Sequence, residues 1–335
     1  MSETKKITII ELTPCADTIF SIRRDPEEGY IPASGGGMTI KTGATLRPHG
    51  LSTYAGGKAT NVARVIDKLL RPEDRVEVEL VVFRPDTAEG RYIGELQSQA
   101  LERVQVRPIL IEATARFCIN VSDPSAIPPG LEFNISPRVR WRAGAEEVLI
   151  QTVSSLRTDL LILAGGPPVM EPRTGPAGEL PASIIGLAGD SPQVSIDLEG
   201  TALDQSIRGR RQPDIIKINQ AEYRSVESRR WEEFAGTLIV TSRDGCSVTG
   251  PGIHGPTTYV RGAVAESVYQ TVGAGDATHA AFTIARWVWG FDDVRAARFG
   301  MAAAAAAVSS PDGTRGMTAD RAHTIFSRLE SEAIS

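Results

Sequence analysis

Between Thr271 and Asp276 the chain reads Thr-Val-Gly-Ala-Gly-Asp, and an apolar-periodic segment follows it to near Trp289. In that segment Ala277, Ala280, Ala281, Ile284, Ala285 and Val288 recur at helical spacing, so a helix begins where two glycines and an acid meet it. The first amides of a helix lack partners within it and carry the positive end of its dipole. Gly273, Ala274 and Gly275 therefore read as a backbone cradle for charge that develops on a transferred phosphoryl group. Asp276 repels a resting phosphate, yet it suits a base that takes the proton from an attacking hydroxyl. The same residues also read as a glycine turn with Asp276 as an ordinary helix N-cap.

Other stretches carry chemistry of the same kind. The buried first strand, Ile7 to Leu12, ends in Thr13-Pro14-Cys15-Ala16-Asp17. Ligands of open α/β sheets bind at such strand ends, so Asp17 is a candidate for holding substrate hydroxyls, with a solvated turn residue as the alternative. Gly56 and Gly57 precede a helix marked by Val62, Val65, Ile66, Leu69 and Leu70. Lys58, Asn61 and Arg64 lie on its first turns and suit a polyhydroxy or anionic ligand; solvated basic residues on a capped helix are the alternative. Asn219 and Glu222 stand three apart at a strand-to-helix junction, where they suit water-mediated Mg²⁺ binding or a helix cap. The run Phe299 to Val308, with Ala304 inside it, is a helix of small side chains that packs on the sheet or around a flat ring such as adenine.

These residues need a frame, and the rest of the chain supplies one. Strands over Val78–Phe83, Leu160–Leu163, Val194–Asp197, Asp214–Ile218 and Leu238–Thr241 alternate with helices over Gly90–Glu102, Glu146–Leu156 and around Ile184–Ala188. Such alternation predicts one α/β domain over 1–335 with a mainly parallel sheet covered on both faces. Two strand-rich excursions, about 12–53 and 107–140, break the rhythm and are expected to pair into a small separate sheet. The first carries Gly35-Gly36-Gly37 at its tip; the second turns at Pro124, Pro128 and Pro129.

Bulk properties narrow the class. The net charge of −5 argues against general binding to nucleic acid or anionic membranes, so an anionic substrate needs a local basic site. The longest near-apolar run, Met301 to Val308, is far shorter than a membrane span. Cys15, Cys118 and Cys246 are scattered and odd in number, which predicts a reducing compartment, no metal cluster and a cytoplasmic protein. No Gly-x-Gly-x-x-Gly follows the first strand, which disfavours a dinucleotide-binding oxidoreductase.

In their order these pieces resemble the PfkB/ribokinase family of carbohydrate kinases across nearly the whole chain. Val272-Gly273-Ala274-Gly275-Asp276-Ala277 is similar to that family's C-terminal signature, and Gly56-Gly57-Lys58-Ala59-Thr60-Asn61-Val62-Ala63-Arg64 to its N-terminal one. Ile216-Lys217-Ile218-Asn219-Gln220-Ala221-Glu222 resembles its Asn-x-x-Glu motif, and Gly165-Gly166-Pro167-Pro168 its Gly-Ser-Leu-Pro turn. The Asn61-Val62-Ala63-Arg64 ending, the Pro14-to-Asp17 spacing and Glu132-Phe133-Asn134 resemble the sugar-phosphate branch that includes 1-phosphofructokinase and tagatose-6-phosphate kinase. The resemblance implies a ribokinase-like three-layer α/β fold with a small β-sheet lid, dimerisation through that lid, and ATP with Mg²⁺ as cofactors. It implies Asp276 as base over the Gly273–Gly275 cradle, and Asn219 and Glu222 at the metal. Asp17, Gly56, Gly57, Lys58, Asn61 and Asn134 would line the acceptor site, and Arg116 matches a lid arginine that meets substrate phosphate, joined there by Lys58 and Arg64. Lys217, Asn219, Thr241, Gly245 and Ala304 would line the nucleotide site. The implied reaction is ATP-dependent phosphorylation of a primary hydroxyl on a sugar phosphate of the fructose-1-phosphate, fructose-6-phosphate or tagatose-6-phosphate type. A kinase for an unphosphorylated sugar or nucleoside is the first alternative, and a non-catalytic sugar- or nucleotide-binding regulator the second. Three departures stand out: Ala59 replaces a glycine, Phe117-Cys118 stands where the branch commonly carries Asn, and the loop Thr241–Gly245 is one residue short.

Overall fold

The computed structural model describes residues 4–334 apart from 22–29, 33–37, 41–49, 123–131, 173–174, 176, 252–256, 264 and 266. The glycine tip at Gly35–Gly37 and the turn at Pro124, Pro128 and Pro129 lie outside the described residues, as does the side chain of Asn134.

Short runs rich in Ile, Val and Leu form the strands, because branched side chains pack well on a pleated surface. They are β1 (Lys5–Glu11), β2 (Cys15–Ser21), β3 (Tyr30–Pro32), β4 (Met38–Ile40), β5 (Gly50–Gly56), β6 (Val76–Pro85), β7 (Gln105–Ile111), β8 (Phe117–Ser122) and β9 (Glu132–Ile135). The second half adds β10 (Arg140–Trp141), β11 (Leu160–Ala164), β12 (Val169–Met170), β13 (Gln193–Asp197), β14 (Ile215–Asn219), β15 (Thr237–Thr241), β16 (Gly245–Thr249) and β17 (Thr257–Arg261). The helices are α1 (Lys58–Leu69), α2 (Ala88–Ala100), α3 (Ala145–Ser155), α4 (Leu180–Leu187), α5 (Gly200–Arg208), α6 (Gln220–Ser225), α7 (Ser228–Glu233), α8 (Ala274–Trp287), α9 (Asp293–Val308) and α10 (Ala319–Ile334).

A nine-stranded sheet runs β17-β16-β15-β14-β13-β11-β1-β6-β7, parallel from β15 to β7 and antiparallel at β16 and β17. Successive side chains alternate between its faces, and two cores follow from that alternation. Ile7, Ile9, Leu80, Val82, Leu160 and Ile162 pack against Val62, Ile66, Ala280, Ile284 and Ala303 of α1, α8 and α9. Ile10, Val81, Phe83, Leu161 and Leu163 pack on the other side against Leu149, Ile184 and Leu203 of α3, α4 and α5. The alanine run of α9 lets it sit close to α8; a Cβ on Gly300 would lie 3.0 Å from Thr278 O. Among the described residues no helix is long and apolar enough to cross a membrane.

A separate four-stranded sheet runs β5-β2-β8-β9 and joins the two excursions. Register decides its faces. Asp17 is opposite both Tyr54 and Cys118, whereas Thr18 is opposite Thr53 and Ile119. One face therefore carries Cys15, Asp17, Tyr54, Arg116 and Cys118; the other carries Leu51, Phe117, Ile119 and Ile135, all exposed. The local pattern is read differently in two places. Residues 105–111, placed partly in the second excursion by sequence, form β7 and close the main sheet beside β6. Antiparallel β16 and β17 carry too little apolar alternation to be recognised locally and depend on pairing with β15.

Candidate active site

α8 opens at Gly273, whose left-handed backbone (φ 83) suits glycine because it has no Cβ to clash. The helix ladder starts with Ala277 N–H donating to Gly273 O at 2.8 Å, which leaves the amides of Gly275 and Asp276 at the helix end. Ala274 departs from the expected cradle, because its N–H turns back to Thr271 O at 3.2 Å and closes the turn. Asp276 is not an N-cap: Gly273 holds that position, and the helix start has no side-chain cap bond. Its carboxylate is buried and accepts a hydrogen bond from Asn61 Nδ2 at 2.8 Å. Burial pushes this carboxyl up to about 6, aided by the charge of Asp197 and opposed by Lys58 and Lys217.

Asp197 ends β13 directly below this helix start. Its oxygens lie 2.9 Å from Lys58 Nζ and 2.7 Å from Lys217 Nζ. Burial works against its charge, but the two ammonium groups outweigh burial and hold the carboxyl well below the usual range. Lys58 shows the same balance: burial opposes its charge, while Asp197, Asp276 and Glu222 raise its pKa overall. Lys217, expected at the nucleotide, turns inward to Asp197; a Cβ on Gly275 would fall 2.6 Å from its Nζ. His279, fully buried in α8 just beyond Asp276, meets Ser195 Oγ at 2.7 Å through Nε2 while Nδ1 has no described partner. Burial lowers it to about 4, so it is a neutral imidazole at ordinary pH.

Asn61 and Arg64 form an inward hydrogen-bond chain to Asp276. Arg64 donates to Asn61 Oδ1 and to Ala55 O, each at 2.6 Å, and burial lowers its pKa to about 10. Arg64, expected near a substrate phosphate, has its guanidinium enclosed here and bonds the Asn61 amide that meets Asp276. Beneath Gly57 (φ 104), Glu11 accepts from Thr60 N at 2.9 Å and caps α1, whose N-cap glycine offers no side chain. Burial pushes Glu11 up to about 7. Sequence reading passed over Glu11 and Asp197, although each is an acid at the end of an apolar strand, the signal used for Asp17.

On the inner face of the small sheet, a Cβ on Gly56 would lie 2.1 Å from Asp17 Oδ2, so the glycine makes room for that carboxylate. Burial raises the pKa of Asp17, while the thiols of Cys15 and Cys118 and the charge of Arg116 oppose the rise. Arg116 Nη1 lies 3.4 Å from both Thr13 O and Thr13 Oγ1, Nη2 donates to Ser136 Oγ, and Nε has no described partner. The expectation of scattered cysteines fails here. Cys15 and Cys118 meet beside Asp17, because β2 and β8 are neighbours in space though far apart in sequence. Asn134 sits in β9 opposite Asn120.

On the other side, Asn219 and Glu222 form a reciprocal capping box for α6. Asn219 Oδ1 accepts from Ala221 N and Glu222 N, and Glu222 Oε2 accepts from Asn219 N at 2.7 Å. The second oxygen, Glu222 Oε1, faces Lys58 Nζ at 3.8 Å. Thr241 Oγ1 donates to Ile218 O at 3.1 Å, and Gly245 O accepts from Ser242 N at 2.7 Å. Ala304 lies in α9 and is buried. The described contacts do not join Thr241, Gly245 or Ala304 to the Asp276 cluster.

A family model described as pfkB family carbohydrate kinase matches residues 192–320, the stretch from β13 through the start of α10. No curated protein sequence matches the chain. The fold is similar to phosphofructokinase-2 from Escherichia coli in complex with potassium: TM-score 0.78, 19% identity, covering 97% of this chain and 99% of that one. It is also similar to a Thermotoga maritima protein described as a possible 1-phosphofructokinase, at TM-score 0.74 and 16% identity over 96% of this chain and 97% of that one. A nucleoside kinase of the ribokinase family from Methanocaldococcus jannaschii shares the fold at TM-score 0.64 and 17% identity, over 97% and 98% of the two chains. At these identities the structures establish a common fold. The match to the pfkB carbohydrate kinase family thus lies in residues 192–320, and the chain as a whole shares the α/β fold of these sugar-phosphate and nucleoside kinases.

Proposed function

We propose that the chain phosphorylates a primary hydroxyl of a sugar phosphate at the expense of ATP. One observation carries the choice of acceptor. Arg116 stands on the same face as Asp17, and among the described residues its hydrogen bonds go only to neutral groups. A guanidinium that forms no carboxylate ion pair among the described residues and leaves Nε unpaired is suited to an anion, and such a group chelates phosphate in two-point fashion. Lys58, by contrast, is already matched by Asp197.

In this reading Asp17 binds acceptor hydroxyls, and Asp276, held by Asn61, takes the proton of the attacking hydroxyl. The amides of Gly275 and Asp276 stabilise charge developing on the transferred phosphoryl group. Lys217, anchored by Asp197 beneath Gly275, adds positive charge there. Mg²⁺ fits Glu222 Oε1, the oxygen left free by the capping box, with Asn219 beside it and water between, because this ion keeps much of its hydration shell. The chemistry such an ion supplies is neutralisation of charge on phosphate oxygens. Replacing Glu222 by Ala is expected to raise the Mg²⁺ concentration giving half-maximal rate; an unchanged Mg²⁺ titration would confine the pair to capping α6.

The small sheet acts as a lid that excludes water as a competing acceptor. Its outer face, with Leu51 at 65% exposure and Phe117, Ile119 and Ile135 beside it, supports pairing with the lid of a second copy in a cytoplasmic homodimer. Turnover of ATP over a panel of ketose and aldose monophosphates and their free sugars tests the assignment. At least one monophosphate is expected to outperform its free sugar in kcat/KM. Equal use of a free sugar or a nucleoside would transfer the site to an unphosphorylated acceptor.

A further inference from the structure

β2 and β8 run parallel with Asp17 opposite Cys118. Cys15, two residues before Asp17, projects from the same face. The Sγ of Cys15, a carboxylate oxygen of Asp17 and the Sγ of Cys118 all lie within 4.8 Å of one another, and Cys15 Sγ is 3.3 Å from Asp17 Oδ1. All three residues are buried. Zinc bonds sulfur at about 2.3 Å and carboxylate oxygen at about 2.0–2.2 Å, so the edges of its tetrahedron are roughly 3.4–3.8 Å. The separations present, none above 4.8 Å, exceed those edges by at most about 1.4 Å.

We propose that Cys15, Asp17 and Cys118 form a binding site for a thiophilic divalent cation of the zinc class, overlapping the acceptor end of the active site. Binding releases both thiol protons: two thiols, one carboxylate and the dication give a bis-thiolate carboxylate complex with a net charge of −1 and two free protons. Arg116, on the same face, offsets that remaining charge. Ser136 Oγ, 3.4 Å from Cys118 Sγ, is a neighbouring oxygen beside the cluster.

The other chemistry open to two neighbouring thiols is a disulfide, and the register disfavours it. Cys118 is opposite Asp17 and not Cys15. Strands about 4.8 Å apart with a two-residue offset of about 3.3 Å per residue separate the two Cα atoms by roughly 8 Å, beyond the range of about 4.4–6.8 Å for disulfides. A metal bonds both sulfurs without a backbone shift.

A bound cation takes the Asp17 carboxylate away from the acceptor. This consequence rests on the proposed role of Asp17 in the acceptor site, whereas the metal site itself does not. The fully reduced, full-length protein is titrated with Co²⁺ as a spectroscopic probe, and Zn²⁺ is then added in competition. One equivalent of Co²⁺ is expected to produce thiolate-to-cobalt charge-transfer absorption that Zn²⁺ abolishes. Cys15→Ser and Cys118→Ser should each weaken binding by more than about 100-fold, since even outer partners of metal ligands are worth about 10–100-fold. Cys246→Ser, in the core of the main sheet, should bind as the parent does. Inhibition by Zn²⁺ should be competitive with the acceptor and not with ATP. No charge-transfer band in the parent, an unchanged band in Cys118→Ser, or a Cys15–Cys118 disulfide formed by peroxide without metal uptake each overturns the proposal. Normal metal binding with no competition from the acceptor upholds the site and removes Asp17 from the acceptor's contacts.

Discussion

Replacing Asp276 by Asn lowers kcat by about 10²- to 10⁴-fold, the range for loss of a general base, while ATP affinity is retained. Asparagine keeps the size of the side chain and can still meet Asn61 after an amide flip, so the start of α8 keeps its shape. What is lost is the ability to accept a proton. The pH profile adds an independent readout. Because burial and the charge of Asp197 hold the Asp276 carboxyl at about 6, it is ionised above that pH and protonated below it. The parent enzyme's kcat/KM should therefore fall about tenfold for each pH unit below about 6, and this limb should vanish in the asparagine variant. Near-parental turnover in Asp276→Asn would remove the residue from proton transfer.

The second large effect is expected at Arg116. A charge-assisted hydrogen bond contributes about 1.5–3 kcal/mol, so Arg116→Ala should raise KM for a sugar monophosphate about 10- to 100-fold. KM for ATP should stay within about twofold, since Arg116 is tied to Thr13 and Ser136 on the acceptor side. Arg116→Lys, which keeps a charge but loses the planar fork, should fall between the two. Free sugars separate the readings further, because the alanine variant should use a free sugar as well as the parent does. A rise in KM that is the same for free and phosphorylated sugar would assign Arg116 to shaping the lid instead of binding phosphate.

Much of this was legible from local sequence. The alternation of branched apolar runs with helical stripes determined the parallel sheet and its two covers, because burying each stripe leaves few other arrangements. The Gly-Ala-Gly-Asp junction determined a helix start with an acid in its first turn, since glycine conformation and helix ends are properties of neighbouring residues. The Asn219–Glu222 spacing reads as an Mg²⁺ site or a helix cap, and the cap, a local device, is what the backbone geometry shows.

Only the tertiary structure decided the electrostatics. The raised carboxyl of Asp276 depends on burial and on the charge of Asp197, opposed by the lysines and by the hydrogen bond from Asn61; these groups arrive from other elements, and no local pattern relates them. Arg64 looks like a free cation on a helix's first turn, but the fold encloses it against Ala55 and Asn61, to which it donates hydrogen bonds. Three cysteines spaced far apart appeared unrelated, yet the β2–β8 register brings two of them to one carboxylate. The physical reason is common to these cases: backbone preference acts over a few residues, whereas charge, desolvation and metal ligation act through space between strands that pair only after folding.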